Sequence, residues 1–173
     1  LRLSLRGLQP LHSACRTGGY RVTASLVRRE DGWEIVYIEP GDTRREHYGL
    51  AVDYGSTTIV MQLVDLNSGA LVAQETLLNG QTAYGTDILT RITYALEQGG
   101  DALQKATVET FHGLMDSITE ASGIDARRLP LMTLSGNTAM IHFLLGLDAW
   151  TVFASPYAPV STDPGFLWGS EIG

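Results

Sequence analysis

The chain has 173 residues, of which 44 % are hydrophobic and 18 % charged, with a formal net charge of −7. That composition is globular and excludes wholesale disorder, and the acidic balance argues against a nucleic-acid surface, which needs clustered Lys and Arg. The single cysteine, Cys15, excludes an internal disulfide framework and an all-cysteine iron–sulfur cluster, which takes about four thiolates.

No apolar run approaches the roughly 18–20 residues of a transmembrane helix, and Leu1-Arg2-Leu3-Ser4-Leu5-Arg6 is too broken by arginine for a secretory signal. The cytoplasm is the expected compartment. The chain does not start with Met and stops at Ser170-Glu171-Ile172-Gly173, so it reads as a piece of a longer protein. Residues 1–47 carry 8 basic and 6 acidic side chains, whereas residues 48–173 carry 4 and 13. A domain boundary is expected at that break.

In residues 1–19, Pro10 and Gly18-Gly19 interrupt the leucines, and the segment reads as the tail of an element whose start is missing. Tyr20 to Leu26 and Trp33 to Ile38 alternate with the period of half-buried strands around Arg29-Glu30-Asp31-Gly32, a hairpin signal. Residues 43–47 then form a short, charged, solvated linker.

The most informative stretch is Gly49 to Met61, in which two short apolar runs flank Asp53-Tyr54-Gly55-Ser56-Thr57-Thr58. Two buried strands joined by such a turn predict a hairpin in a sheet covered on at least one face. Gly55 permits φ > 0, which would gather backbone N–H groups into one concavity. The hydroxyls of Ser56, Thr57 and Thr58 suit a phosphate, and the Asp53 carboxylate beside that anion calls for a cation between them, Mg²⁺ being the oxygen-seeking candidate. On the motif alone an ordinary turn comes first.

Thr58–Leu66 and Ala70–Leu78 complete an antiparallel meander, whose first and third strands run the same way. The loop Asn79–Gly85 therefore shares the Asp53 end of the sheet. Asp87 reads as a first-turn carboxylate of the next helix rather than a second acid of the site. That helix, Thr86–Gln98, is expected to bury Ile88, Leu89, Ile92, Ala95 and Leu96, leaving Arg91 in solvent. A second helix, Asp101–Ser122, ends at Gly123. A fourth strand, Leu129–Leu134, leads through Ser135-Gly136-Asn137-Thr138 into an apolar helix. Its N-terminus can face a ligand, and Asn137 or Thr138 can equally be its N-cap. His142 reads as a satisfied core histidine, and residues 151–173 as a loop crossing outward. Neither Cys15, Arg91 nor His142 receives a chemical role.

The order strand–strand–strand–helix–helix–strand–helix, opened by Asp53-Tyr54-Gly55-Ser56-Thr57, resembles the first half of an actin-like ATPase (ribonuclease H-like) domain. With Asn79-Gly80-Gln81-Thr82-Ala83-Tyr84-Gly85-Thr86-Asp87, Ser135-Gly136-Asn137-Thr138-Ala139-Met140-Ile141-His142 and the preceding Glu39-Pro40-Gly41-Asp42-Thr43, it resembles the ATP-dependent reductive activators of corrinoid proteins. The three motifs in order reverse the preference for an ordinary turn.

The resemblance implies an α/β fold with residues 1–47 as the end of a small middle domain plus linker, and 48–173 as the first part of an actin-like ATPase domain. It implies ATP-driven reduction of a corrinoid protein from cob(II) to cob(I). Asp53 would hold Mg²⁺ through water and Gly55, Ser56, Thr57 and Thr58 would hold phosphate, with Asn137 and Thr138 lining the cleft. A [2Fe–2S] cluster is implied only in an N-terminal domain outside this chain. The implied partner is the corrinoid protein, with neither nucleic acid nor membrane; a homodimer is left open. Tyr54 and Ser56 depart from the residues usual at their positions without removing a required group. A small-molecule kinase or a nucleotide-sensing module of the same superfold is the alternative, since fold does not fix function.

Overall fold

The computed structural model describes residues 1–3, 5–29 and 32–173, without the side chain of Arg6. The Glu30-Asp31 turn of the first hairpin lies outside the described residues. Three strands form a first sheet. β1 (Arg2–Leu3) runs parallel to β3 (Gly32–Pro40), and β2 (Val22–Arg29) pairs antiparallel on its other side. The expected strand pair is present, with a bulge between Ser25 and Leu26, but the expected half-buried alternation is not: Tyr20, Val22, Leu26 and Trp33 are exposed.

Two short helices, α1 (Leu5–Leu8) and α2 (Leu11–Thr17), pack against β3 in place of the tail of a single element. Pro10 and Gly18 do not interrupt an element. They bound one: Pro10 stands at the N-cap of α2 and Gly18 at its C-cap, where the Gly18 N–H donates to Ala14 O at 2.8 Å. A helix of seven residues offers too few turns for its periodicity to stand out between such breakers.

The segment after β3 is solvated as expected, with residues 44–47 exposed, and Thr43 anchors its start. Thr43 N–H donates to Thr23 Oγ1 at 2.9 Å, and Thr43 Oγ1 donates to Glu39 Oε2 at 2.9 Å. Arg44 pairs with Asp42 in its own turn and stays exposed.

The second sheet has the order β6-β5-β4-β7. The meander is β4 (Tyr48–Tyr54), β5 (Thr58–Asp65) and β6 (Leu71–Leu78), and β7 (Met132–Gly136) adds parallel to β4. The fourth strand thus starts three residues later than its apolar run suggests, because Ala126–Arg128 forms a 3-10 turn leading into Leu129. Leu50, Val52 and Tyr54 of β4 and Ile59, Met61 and Leu63 of β5 share one face and are buried. Covering that face are α3 (Ile88–Gln98), α4 (Asp101–Ser122) and α5 (Thr138–Leu145), through Ile92, Leu103, Leu114, Ile118, Met140, Phe143 and Leu144. The opposite face, with Ala51, Asp53, Val60, Gln62, Thr133 and Ser135, stays open.

Helix α4 has the expected limits, and Gly123 closes it in the left-handed conformation at φ 69°. Helix α3 is turned from the expected orientation. Leu89 and Leu96 are each 57 % exposed, whereas Arg91 is 0 % exposed. Its buried stripe runs Ile88, Arg91, Ile92, Ala95, a regular helical spacing with an arginine in the middle.

Residues 151–173 fold back over the chain instead of crossing outward. His142 is buried, with Nδ1 at 2.7 Å from Thr138 O and Nε2 accepting from Val160 N–H at 3.1 Å. It is the satisfied core histidine that its apolar helix suggests. Ile172 packs at the core, its carbonyl accepting from Gln104 Nε2 at 3.3 Å. Arg29 lies over the Phe166 ring at 4.0 Å. Among the described residues no helix is long and apolar enough to cross a membrane.

Truncating Leu114→Ala, at 0 % exposure between α4 and the sheet, should lower unfolding free energy by about 2–5 kcal/mol in chemical denaturation. Acid stability follows from the turn carboxylates. Arg44 and Arg127 hydrogen bonds hold Asp42 and Asp125 down to about 2 from 3.8, and Ser68 and the Thr90 N–H lower Asp65 and Asp87. A depressed folded-state value contributes stability that is complete above the ordinary carboxylate range and is lost as pH falls through the folded value. Thermal midpoints should therefore stay level between about pH 7 and pH 5 and fall below about pH 4. A midpoint that rises on acidification would contradict this.

Candidate functional site

The site is built at the carboxyl ends of β4 and β7. Their parallel register places Asp53 beside Ser135 and Tyr54 beside Gly136. Asp53 and Ser135 project from the open face and are exposed; Tyr54 projects into the core. Just beyond the strands lie the Gly55-Ser56-Thr57 turn and the N-terminus of α5. Asn137 caps α5, Oδ1 accepting from Met140 N–H at 2.9 Å, and both Asn137 and Thr138 are exposed. The sequence-predicted residues Asp53, Gly55, Ser56, Thr57, Thr58, Asn137 and Thr138 therefore share one end of the sheet. The open face beneath them holds a depression of about 440 Å³, lined by Ala51, Asp53, Val60, Gln62, Thr133 and Ser135 among others.

Gly55 does not have the positive φ expected of it. Its requirement is steric: a Cβ there would lie 2.4 Å from Thr58 O. Gly136 is similarly confined, since a Cβ would lie 3.0 Å from Tyr54 O. Glycine at both positions lets the hairpin close tightly and lets β7 approach it.

Several hydrogen-bonding groups of this turn are not used by the fold. Asp42, Asp65, Asp87, Asp125, Asp148 and Asp163 each accept a hydrogen bond within their own turn or cap. Among the described residues Asp53 accepts none, and the hydroxyls of Ser56, Thr57 and Thr58 and the N–H groups of Ser56 and Thr57 have no protein partner either. An ordinary turn would satisfy such groups internally or leave them to water. Here donors without a protein partner and one exposed carboxylate lie at the same end of the sheet. That donor set fits a phosphate with a hydrated hard cation, because Mg²⁺ keeps most of its waters and needs only one or two carboxylates. No group of three or more His, Cys, Asp or Glu able to hold a metal occurs among the described residues, so any ion here would rest on Asp53 and water.

Behind the turn lies the loop after β6, a 3-10 turn over Gly80–Tyr84 capped by Asn79. Asn79 reaches back to the hairpin: its N–H donates to Thr57 O at 2.8 Å, and Nδ2 donates to Gly55 O at 2.9 Å. Behind it Gln81 Nε2 shares its two hydrogens among Tyr54 OH at 2.9 Å, Thr107 Oγ1 at 2.7 Å and Leu103 O at 3.1 Å. Arg91 closes the group from α3, Nε donating to Gly85 O at 2.9 Å. Its Nη2 has no partner among the described residues, and burial pulls the guanidinium below its usual range. Burial likewise pushes the Tyr54 phenol up, against its bonds to Thr107 and Gln81. Asp87 caps α3, its Oδ1 accepting from Thr90 N–H at 2.9 Å, and takes no part in the site.

A family model described as RACo middle region matches residues 48–173. The chain belongs to the RACo family of reductive activators of corrinoid proteins. It is 31 % identical over 140 residues to the corrinoid activation enzyme RamQ of Eubacterium limosum, covering 79 % of this chain and 23 % of that protein. A solved structure, "Reductive activator for corrinoid,iron-sulfur protein", matches at TM-score 0.78 and 31 % identity over 91 % of this chain and 26 % of that one. The RACo-family chain therefore spans 23–26 % of the length of these two relatives.

Sequence reasoning missed Ser135, because nothing in Ser-Gly-Asn-Thr announces which residue will sit beside Asp53 until the β4–β7 register is known. It also missed Asn79, Gln81 and Arg91 as a group. The one available signal was a charged residue spaced three from Ile88 and four from Ala95, on the stripe that becomes buried. Replacing Gly55→Ala in this RACo-family hairpin should force the turn apart and lower stability by about 1–3 kcal/mol, read as a fall in the denaturation midpoint.

Proposed function

We propose that the whole protein uses ATP to activate a corrinoid protein of a methyl-transfer system reductively, and that this chain supplies the first phosphate-binding segment. On this reading residues 48–173, the segment matched by the family model, are the first part of an actin-like ATPase domain. Residues 1–47 end a smaller preceding domain. When bound, Mg-ATP would supply the free energy for moving one electron uphill onto the cobalt, cob(II) to cob(I). The [2Fe–2S] donor would belong to a region outside these residues, since one cysteine cannot ligate a cluster.

Within the chain, Asp53 would hold Mg²⁺ through water. The Ser56, Thr57 and Thr58 hydroxyls and the turn N–H groups would hold phosphate oxygens, with Asn137 and Thr138 lining the same cleft. The small footprint of Gly55 and Gly136 would keep Cβ atoms from crowding the turn. What carries the reading is a family membership joined to one local fact: the Asp53 turn keeps its carboxylate, hydroxyls and N–H groups uncommitted at the end of the sheet where α5 begins.

In the full-length protein, Asp53→Ala should lower Mg-dependent ATP hydrolysis, measured with an oxidised corrinoid protein present, by about 10–100-fold, the usual cost of losing an outer-shell metal partner. Hydrolysis at the wild-type rate would remove Asp53 from the metal assignment.

A further inference from the structure

Six polar or charged residues are buried among those described, and five of them, Asn79, Gln81, Arg91, Thr107 and Thr110, lie in one group behind the Asp53 turn. The sixth is His142, which holds Val160. Thr107 joins Tyr54 OH at 2.8 Å, and Thr110 Oγ1 accepts from Gly80 N–H at 3.1 Å. Apolar side chains would seat a loop on a sheet at less cost, because each buried polar group must find partners. What hydrogen bonds add is direction.

That direction is set at the Gly55–Ser56 peptide. Asn79 Nδ2 holds Gly55 O and the Asn79 N–H holds Thr57 O, so both carbonyls point toward the loop. In a trans peptide the N–H points opposite to its C=O. Holding Gly55 O toward the loop therefore turns Ser56 N–H away from it, at the sheet end that Asp53 occupies. Asn79 is held in turn by Oδ1, which accepts from Gln81 N–H at 3.0 Å. Gln81 is held by Tyr54, Thr107 and Leu103 O.

We propose that Asn79 is the positioning residue of this site: it orients the Gly55–Ser56 peptide so that the turn presents donors to a nucleoside-triphosphate phosphate, with Gln81, Tyr54 and Thr107 holding it in place. The proposal rests on the reading of the hairpin as a phosphate site, and the experiment separates the two.

In the full-length protein, Asn79→Asp keeps an oxygen for Gln81 N–H and replaces the donor facing Gly55 O by a second acceptor, so the loop cap and the backbone tie to Thr57 O survive and the tie to Gly55 O is lost. Two quantities are read on the folded variant: amide hydrogen exchange over residues 54–58, and the affinity for a non-hydrolysable ATP analogue with Mg²⁺. Faster exchange in that segment and affinity weakened about tenfold or more support the proposal. Wild-type exchange and wild-type affinity overturn it. If the wild-type protein binds no analogue, the phosphate reading fails. Exchange alone then judges Asn79, and unchanged protection overturns its role. Should Asn79→Asp not fold, Thr107→Val removes one hydroxyl from behind Gln81 at nearly constant volume; a smaller change in the same direction in both quantities is expected, and none in either overturns the proposal.

Discussion

Parallel pairing of β4 with β7 is the constraint on which the rest of the structure depends. Two parallel neighbours cannot be joined by a hairpin; the chain must leave one end of the sheet and return to the other. Here it does so through β5, β6 and then α3 and α4, and the helices cover one face only. Both strands consequently end at the same edge, and whatever follows each of them is brought together there: the Asp53 turn after β4 and the cap of α5 after β7. Ligand sites of open α/β sheets form at such carboxyl ends for this reason. The meander adds the third component, because β6 also runs toward that edge and delivers Asn79 to the hairpin.

The core beneath this edge is of two kinds. Around Met61, Leu63, Leu114 and Ile118 it is apolar and fully enclosed, and its stability comes from area removed from water. Beneath the turn it is polar, and Tyr54 marks the transition. The Tyr54 ring packs edge-on against Phe111 with centroids 5.5 Å apart, while its hydroxyl joins Gln81 and Thr107. Apolar packing tolerates small slides, whereas hydrogen bonds of 2.7–3.1 Å do not. The change from one kind of core to the other coincides with the place where the backbone must hold a particular orientation.

Much of this was legible in the residues. The strand order of the meander, the limits of α4 and the sharing of one sheet end by the Asp53 turn and the Asn79 loop follow from alternation, Gly123 and the antiparallel rule. The parts that were not legible have physical causes. Helix α3 was misoriented because Leu89 and Leu96 look like core residues and Arg91 does not; tertiary hydrogen bonds to Gly85 O and the packing of Ile92 outweigh that preference. The partnership of Asp53 with Ser135 depends on a register between strands nearly eighty residues apart in sequence, which no local pattern encodes. The need for glycine at Gly55 was anticipated for the wrong reason, since the obstacle is the Thr58 carbonyl rather than a positive φ.

The first sheet belongs to the same frame through polar contacts. Arg128, just ahead of β7, donates to Glu39 of β3 at 2.8 Å and pairs with Glu46 at 2.8 Å. Asn67, in the turn after β5, donates to Arg44 O at 3.2 Å. Glu39 is largely shielded, at 12 % side-chain exposure, so its pairing with Arg128 is screened less than a surface pair would be. Charged pairs at a seam act through direction and distance more than through buried area, and these tie the segment that leads into β7 to the first sheet. The register of β7 on β4 places Ser135 beside Asp53, and the N-terminal residues meet the same strand's approach at its opposite end.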